Sequence, residues 1–159
     1  MRFYTQQHAH YCGIDLHART MYMCILDPAG GIVVHRNMKA DPESFLQAIE
    51  PFRQDIVVAV ECIFTWYWLA DLCARVGIAF VLGHALYMKA IHAKAKNDKI
   101  DAYKIAALLR GGMIPQAYVY PQEMRSTRDL LRRRMLMMRR RAELLAPSAL
   151  TNNDPVALG

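Results

Sequence analysis

Four acidic side chains, Asp15, Glu61, Asp98 and Asp101, stand where this chain could assemble a site for divalent metal. Asp15 closes the apolar run Tyr11-Cys12-Gly13-Ile14, and Glu61 closes the β-branched run Ile56-Val57-Val58-Ala59-Val60. A carboxylate at the end of a buried strand is poorly solvated, and two that converge repel unless a hard cation neutralises them. Mg²⁺ (or Mn²⁺) suits such a set. Mg²⁺ takes oxygen ligands, keeps several waters, and binds one or two carboxylates together with substrate phosphate oxygens. Asp98 and Asp101 are three residues apart at the start of a predicted helix, so they share a face. Four carboxylates in one place could hold two cations about 3.5–4 Å apart, the clamp used for phosphodiester displacement. Each residue also has a structural alternative. Asp15 could initiate a turn and Glu61 could pair with a basic side chain, while Asp98 could cap a helix with Asp101 in its first turn.

The surroundings favour a polyanionic partner. Lys89, Lys94, Lys96 and Lys99 lie around the Asp98 pair, and Lys94, Lys96 and Lys99 are candidate phosphate contacts; a solvated basic loop is the alternative. His17, two residues beyond Asp15, would face the same side of an extended strand. A substrate contact or a plain strand-end histidine is the expectation there, ahead of a metal ligand. Trp66, Tyr67 and Trp68 follow Glu61, with core packing expected and base stacking the minority reading. His8 and His10 receive no role.

The elements that must position these residues alternate in a recognisable order. Strands are predicted over 11–17, 20–27 and 32–36, the last two separated by the turn Pro28-Ala29-Gly30-Gly31. A helix opens at Asp41-Pro42-Glu43 and runs to about Phe52. The run 55–61 has the character of a parallel strand buried on both faces. A helix over 65–76 and a strand over 78–82 follow, then helices over 87–93, 99–110 and 126–145. Three antiparallel strands followed by alternating helices and parallel strands is the order of an RNase H-like (RuvC-like) α/β fold. It implies a mixed sheet flanked by helices, with the strands of Asp15 and Glu61 adjacent.

The last helix differs in character. Met124, Arg128, Leu131, Met135, Met138, Ala142 and Leu145 follow an alternating spacing of four and three, a coiled-coil seam broken only by Arg128. Arg132, Arg133, Arg134, Arg139, Arg140 and Arg141 flank it as a candidate nucleic-acid-binding surface. The expected division is a loose lead-in over 1–10, a catalytic domain over 11–122, a long basic helix over 123–146 and a frayed or truncated tail over 147–159. Net charge is +6 with a pI near 9.3, and the arginines of this helix concentrate it. Cys12, Cys24, Cys62 and Cys73 show no CxxC pairing, so buried reduced thiols are expected in a cytoplasmic protein. Neither a signal peptide nor a membrane span is predicted.

Together, Gly13-Ile14-Asp15-Leu16-His17-Ala18, Val60-Glu61, Lys96-Asn97-Asp98-Lys99-Ile100-Asp101-Ala102 and the Arg-rich helix ending Arg139-Arg140-Arg141-Ala142-Glu143-Leu144-Leu145 resemble the DEDD-type insertion-sequence transposases of the one-ten group. The resemblance covers residues 11 to 146. It implies a RuvC-like domain whose Asp15, Glu61, Asp98 and Asp101 bind Mg²⁺, in a recombinase that excises and inserts DNA. It further implies a bridge RNA that pairs with donor and target DNA, and a homo-oligomer joined through the long helix. Members of the family carry a second domain with a nucleophilic serine. Nothing in Pro147 to Gly159 matches it, neither Ser126 nor Ser148 is given that role, and a truncated catalytic half is expected. Two alternatives are a non-catalytic nucleic-acid-binding module and a structure-selective nuclease of the Holliday-junction resolvase kind.

Overall fold

The computed structural model describes residues 2–61, 66–84 and 97–151. The chain divides into two units, Met1–Val119 and Tyr120–Gly159. The first is organised around a five-stranded sheet of β1 (His10–Leu16), β2 (Thr20–Leu26), β3 (Ile32–Lys39), β4 (Ile56–Glu61) and β5 (Ala79–Gly83), in the order β3-β2-β1-β4-β5. β2 is antiparallel to both β1 and β3, whereas β4 is parallel to both β1 and β5. This is the mixed sheet of an RNase H-like α/β fold, with β1 and β4 side by side as expected.

Alternation along the strands separates two packing faces. Cys12, Ile14 and Leu16 of β1, with Val58 and Val60 of β4, point into the larger core. Helix α1 (Pro42–Ile49) and helix α2 (Tyr67–Val76) contribute Phe45, Ile49, Leu69, Leu72 and Cys73 to that core. Asp41 caps α1 by accepting from the Ser44 N–H at 2.8 Å, with Pro42 in the first turn, as the sequence predicts. Trp66 is 1% exposed within the same cluster, and Tyr67 and Trp68 pack against it, so this aromatic group is core.

Helix α3 (Asp98–Arg110) covers the opposite face. Ile105, Leu108 and Leu109 meet Tyr11, Val57, Ala59 and Val81, while Ala102 and Ala106 meet Cys24 and Leu26. The small side chains at 102 and 106 let the helix backbone come down onto β1 at Gly13. An added Cβ there would stand 2.3 Å from the Ala106 nitrogen and 2.4 Å from the Ala102 oxygen. At the far end of α3, Arg110 donates to the Pro28 carbonyl at 3.2 Å, tying the helix to the turn between β2 and β3.

Several sequence expectations change. Residues before His10 are fastened, where a loose lead-in was expected. Phe3 bridges to Pro115, the Tyr4 hydroxyl meets His8 Nε2 at 2.6 Å, and His8 Nδ1 meets Asp55 at 2.6 Å. That hydrogen bond, joined by the one from the Ala9 N–H, holds the Asp55 carboxyl below its ordinary range. Local patterning could not reveal it, because the partner lies 47 residues away. Burial keeps the thiols protonated, with Cys24 pushed up to about 11, Cys73 to about 12, and Cys12 well above its ordinary value. Cys62, Lys89, Lys94, Lys96, the predicted helix over 87–93 and the tail from 152 lie outside the described residues.

The second unit contains helix α4, Gln122–Thr151, which begins before the predicted start and passes the expected end at Ala146. Pro147 lacks an N–H, so the helix forgoes one backbone hydrogen bond there and still continues. Leu131, Met135, Met138 and Leu145 of the seam are all more than half exposed. Among the described residues, no helix is long and apolar enough to cross a membrane.

Candidate metal centre

The site grows from the pairing of β1 with β4. Their parallel register matches Gly13 with Ala59 and Ile14 with Val60, so Asp15 and Glu61 follow at one level. Alternation puts both on the face covered by α3, since Tyr11 and Gly13 on one strand and Val57 and Ala59 on the other face that helix. Asp15 is 9% exposed and is the one charged side chain buried among the described residues. Glu61 is half-buried at the strand end, level with Gly83 of β5.

Helix α3 brings the other two carboxylates. Asn97 caps it by accepting from the Lys99 N–H at 3.0 Å, and the Asp101 N–H donates to the Asn97 carbonyl at 2.9 Å. Capping was the structural alternative for Asp98, and Asn97 performs it instead. The Asp98 side chain is therefore left to reach His17, whose Nε2 lies 3.6 Å from Asp98 Oδ1 and 3.3 Å from Asp15 Oδ2. Ligand atoms of Asp15, His17 and Asp98 all lie within 4.8 Å of one another. Asp101 and Glu61 stand outside that trio. Asp101 also approaches Lys104 at 3.9 Å along the helix.

Charge at the site follows from this geometry. The Asp15 carboxyl is raised above its ordinary value, first by burial. His17 pulls the other way, and the negative charges of Asp98 and Asp101 raise it further. A buried carboxylate facing two more acidic groups has an electrostatic deficit that a divalent cation would remove. The donors fit such an ion, being oxygen-rich with one imidazole, and the Asp98 side chain is open to solvent.

Two contributors escaped the sequence reading. His17 was expected as a substrate contact or a plain strand-end residue, yet it lies between two carboxylates. His35 on β3 had no assigned role. Its Nε2 donates to the Lys99 carbonyl in the first turn of α3 at 3.0 Å, and its ring meets Tyr22 edge-on. It thus anchors the end of α3 that carries Asp98. No local signal could have found it, because its partner lies 64 residues along the chain.

Fold and site together define an RNase H-like α/β domain with an acidic cluster at the ends of its two central parallel strands. Residues 12–146 match the IS110-type DEDD family, described as Transposase. The chain belongs to this transposase family. Among solved structures it is similar to the large terminase nuclease from thermophilic phage G20c with bound zinc. The TM-score is 0.39 and the identity 17%, over 70% of this chain and 65% of that one. No match was found among curated proteins.

Proposed function

We propose that this chain is the metal-dependent catalytic domain of a DNA transposase, with Asp15, Glu61, Asp98 and Asp101 holding Mg²⁺ or Mn²⁺. The observation that carries this reading is the convergence of Asp15 and Asp98 about the trio on the α3 face, with Glu61 level with Asp15 on the neighbouring strand. A divalent cation bound there supplies Lewis-acid polarisation of phosphate oxygens. Asp15, held rigidly within β1, fixes the inner side of the site. Asp98, at 57% side-chain exposure, forms its open side towards the phosphodiester. Lys99, in the same helical turn, offers a phosphate contact, and Lys94 and Lys96 extend it in sequence.

DNA and a guide RNA are the proposed partners, with Arg132, Arg133, Arg134, Arg139, Arg140 and Arg141 on exposed turns of α4 as their phosphate contacts. The exposed Leu131, Met135, Met138 and Leu145 seam supports pairing with the same helix of a second copy. A cytoplasmic location accords with such partners.

Calorimetric titration of Mg²⁺ and Mn²⁺ tests the centre. Binding to the wild-type chain should weaken by more than about 100-fold in Glu61→Ala, beyond the roughly 10–100-fold seen for outer-shell changes. Equal binding in both proteins would remove Glu61 from the site. Joint replacement of Arg132, Arg133 and Arg134 by Ala should weaken DNA and RNA binding and flatten its salt dependence. The slope of log affinity against log salt should fall by up to about three, near one for each phosphate no longer neutralised. An unchanged slope would show that these arginines only face solvent.

A further inference from the structure

We propose that His17 is itself a metal ligand, giving this centre a mixed oxygen and nitrogen donor set that prefers Mn²⁺ to Mg²⁺. The inference rests on the metal-site reading above and adds a residue outside its four carboxylates.

The distances separate two explanations for the position of His17. An imidazolium held mainly by ion pairing should close to about 2.7–2.9 Å from a carboxylate oxygen. Here the separations are 3.3 Å to Asp15 and 3.6 Å to Asp98, both longer. Donors sharing a central ion at about 2.0–2.1 Å stand about 2.8–3.4 Å apart when adjacent in octahedral or tetrahedral geometry. The 3.3 Å separation falls in that range and the 3.6 Å separation just beyond it, with all three ligand atoms within 4.8 Å of one another, a spacing that one ion could draw together.

Backbone geometry supports the same role. The His17 N–H donates to the Thr20 carbonyl at 2.9 Å, closing the turn through Ala18 and Arg19 directly after β1. In addition, the Ala40 N–H donates to the Arg19 carbonyl at 3.1 Å, fastening that turn to the chain after β3. The imidazole is therefore presented from a braced hairpin. It is half exposed, at 48%, so an ion and its remaining waters can reach it.

Donor chemistry sets the consequence. Carboxylate and water ligands suit Mg²⁺, Ca²⁺ and Mn²⁺, whereas imidazole strengthens binding of transition metals and adds little for Mg²⁺. One imidazole among carboxylates should therefore raise the ratio of Mn²⁺ to Mg²⁺ affinity without excluding either ion.

The test uses the full chain and the metals alone. Mn²⁺ and Mg²⁺ are titrated calorimetrically into wild type, His17→Ala, His17→Gln and Asp15→Asn, with folding followed by circular dichroism. Electron spin-echo modulation of bound Mn²⁺ reports directly coordinated nitrogen. Wild type should show nitrogen modulation, both His17 variants should lose it, and their Mn²⁺-to-Mg²⁺ affinity ratio should fall by about tenfold. The glutamine variant keeps bulk and polarity, so loss of signal in a folded His17→Gln protein cannot be ascribed to collapse of the hairpin. Unchanged nitrogen modulation and an unchanged ratio in the His17 variants, with binding lost in Asp15→Asn, would overturn the nitrogen ligand and leave the carboxylate site standing. Metal binding that survives Asp15→Asn unaltered would overturn the underlying site and this inference with it.

Discussion

Gly13→Ala is expected to destabilise the protein by about 3 kcal/mol or more, and to loosen the acidic centre as well. Overpacking by one methyl group typically costs about 1–3 kcal/mol where side chains can rotate aside. At Gly13 the new Cβ would meet the Ala106 nitrogen and Cα and the Ala102 carbonyl oxygen, all of them backbone. No rotamer change relieves that clash, so α3 must lift from β1. Lifting α3 separates Ala102 and Ala106 from Cys24 and Leu26 and moves Asp98 away from Asp15. Chemical denaturation measures the first effect, and metal titration of the surviving folded fraction measures the second. Gly77→Ala is a useful contrast. Gly77 has φ of 73° and nothing within 4 Å of an added Cβ, so its cost is the left-handed backbone penalty of about 1–2 kcal/mol. A Gly13→Ala protein as stable as the wild type would show that α3 does not approach β1 this closely in solution.

Asp15→Asn is expected to separate folding from function in opposite directions. The folded-state pKa of Asp15 lies above its ordinary 3.8, mainly because the group is buried. An acid raised in this way contributes stability that is fully present below its unfolded value and is lost as pH rises through the folded value. At neutral pH the metal-free wild type therefore carries a penalty that asparagine lacks. In chelator, Asp15→Asn should melt at or above the wild-type temperature near neutrality, and the difference should vanish below about pH 3, where the carboxyl is protonated in both states. Adding Mn²⁺ should raise the wild-type melting temperature and leave the variant unmoved. On the proposed function, phosphodiester cleavage with added metal should fall by about 100- to 1000-fold, the scale of losing one group that stabilises developing charge. If both proteins gain equal stability from the ion, Asp15 does not bind it.

Both predictions concern β1, where much was legible in advance. The apolar run ending in Asp15 and the β-branched run ending in Glu61 carried enough pattern to place two strands and a carboxylate at the end of each. Asp41-Pro42 marked the start of α1, because capping and the fixed φ of proline are local effects. The lead-in before His10 was misread, since its order comes from Asp55, Ile114 and Pro115, distant in sequence. The helix containing Pro147 was ended too early, because proline removes one hydrogen bond without forbidding the turns on either side.

At the acidic centre the same division holds. Composition and spacing determined that carboxylates would stand at two strand ends and at one helix start, because strand alternation and helix periodicity operate over a few residues. Only the tertiary structure decided which of them converge. The parallel register of β1 and β4 levels Asp15 with Glu61. The bare backbone at Gly13 lets α3 come close, and Asn97 takes the cap, leaving the Asp98 carboxylate to face His17. His35, from the far side of the sheet order, anchors that helix end through the Lys99 carbonyl. Each of these depends on contacts between segments far apart in the chain, which burial and backbone hydrogen bonding select only once the sheet has formed.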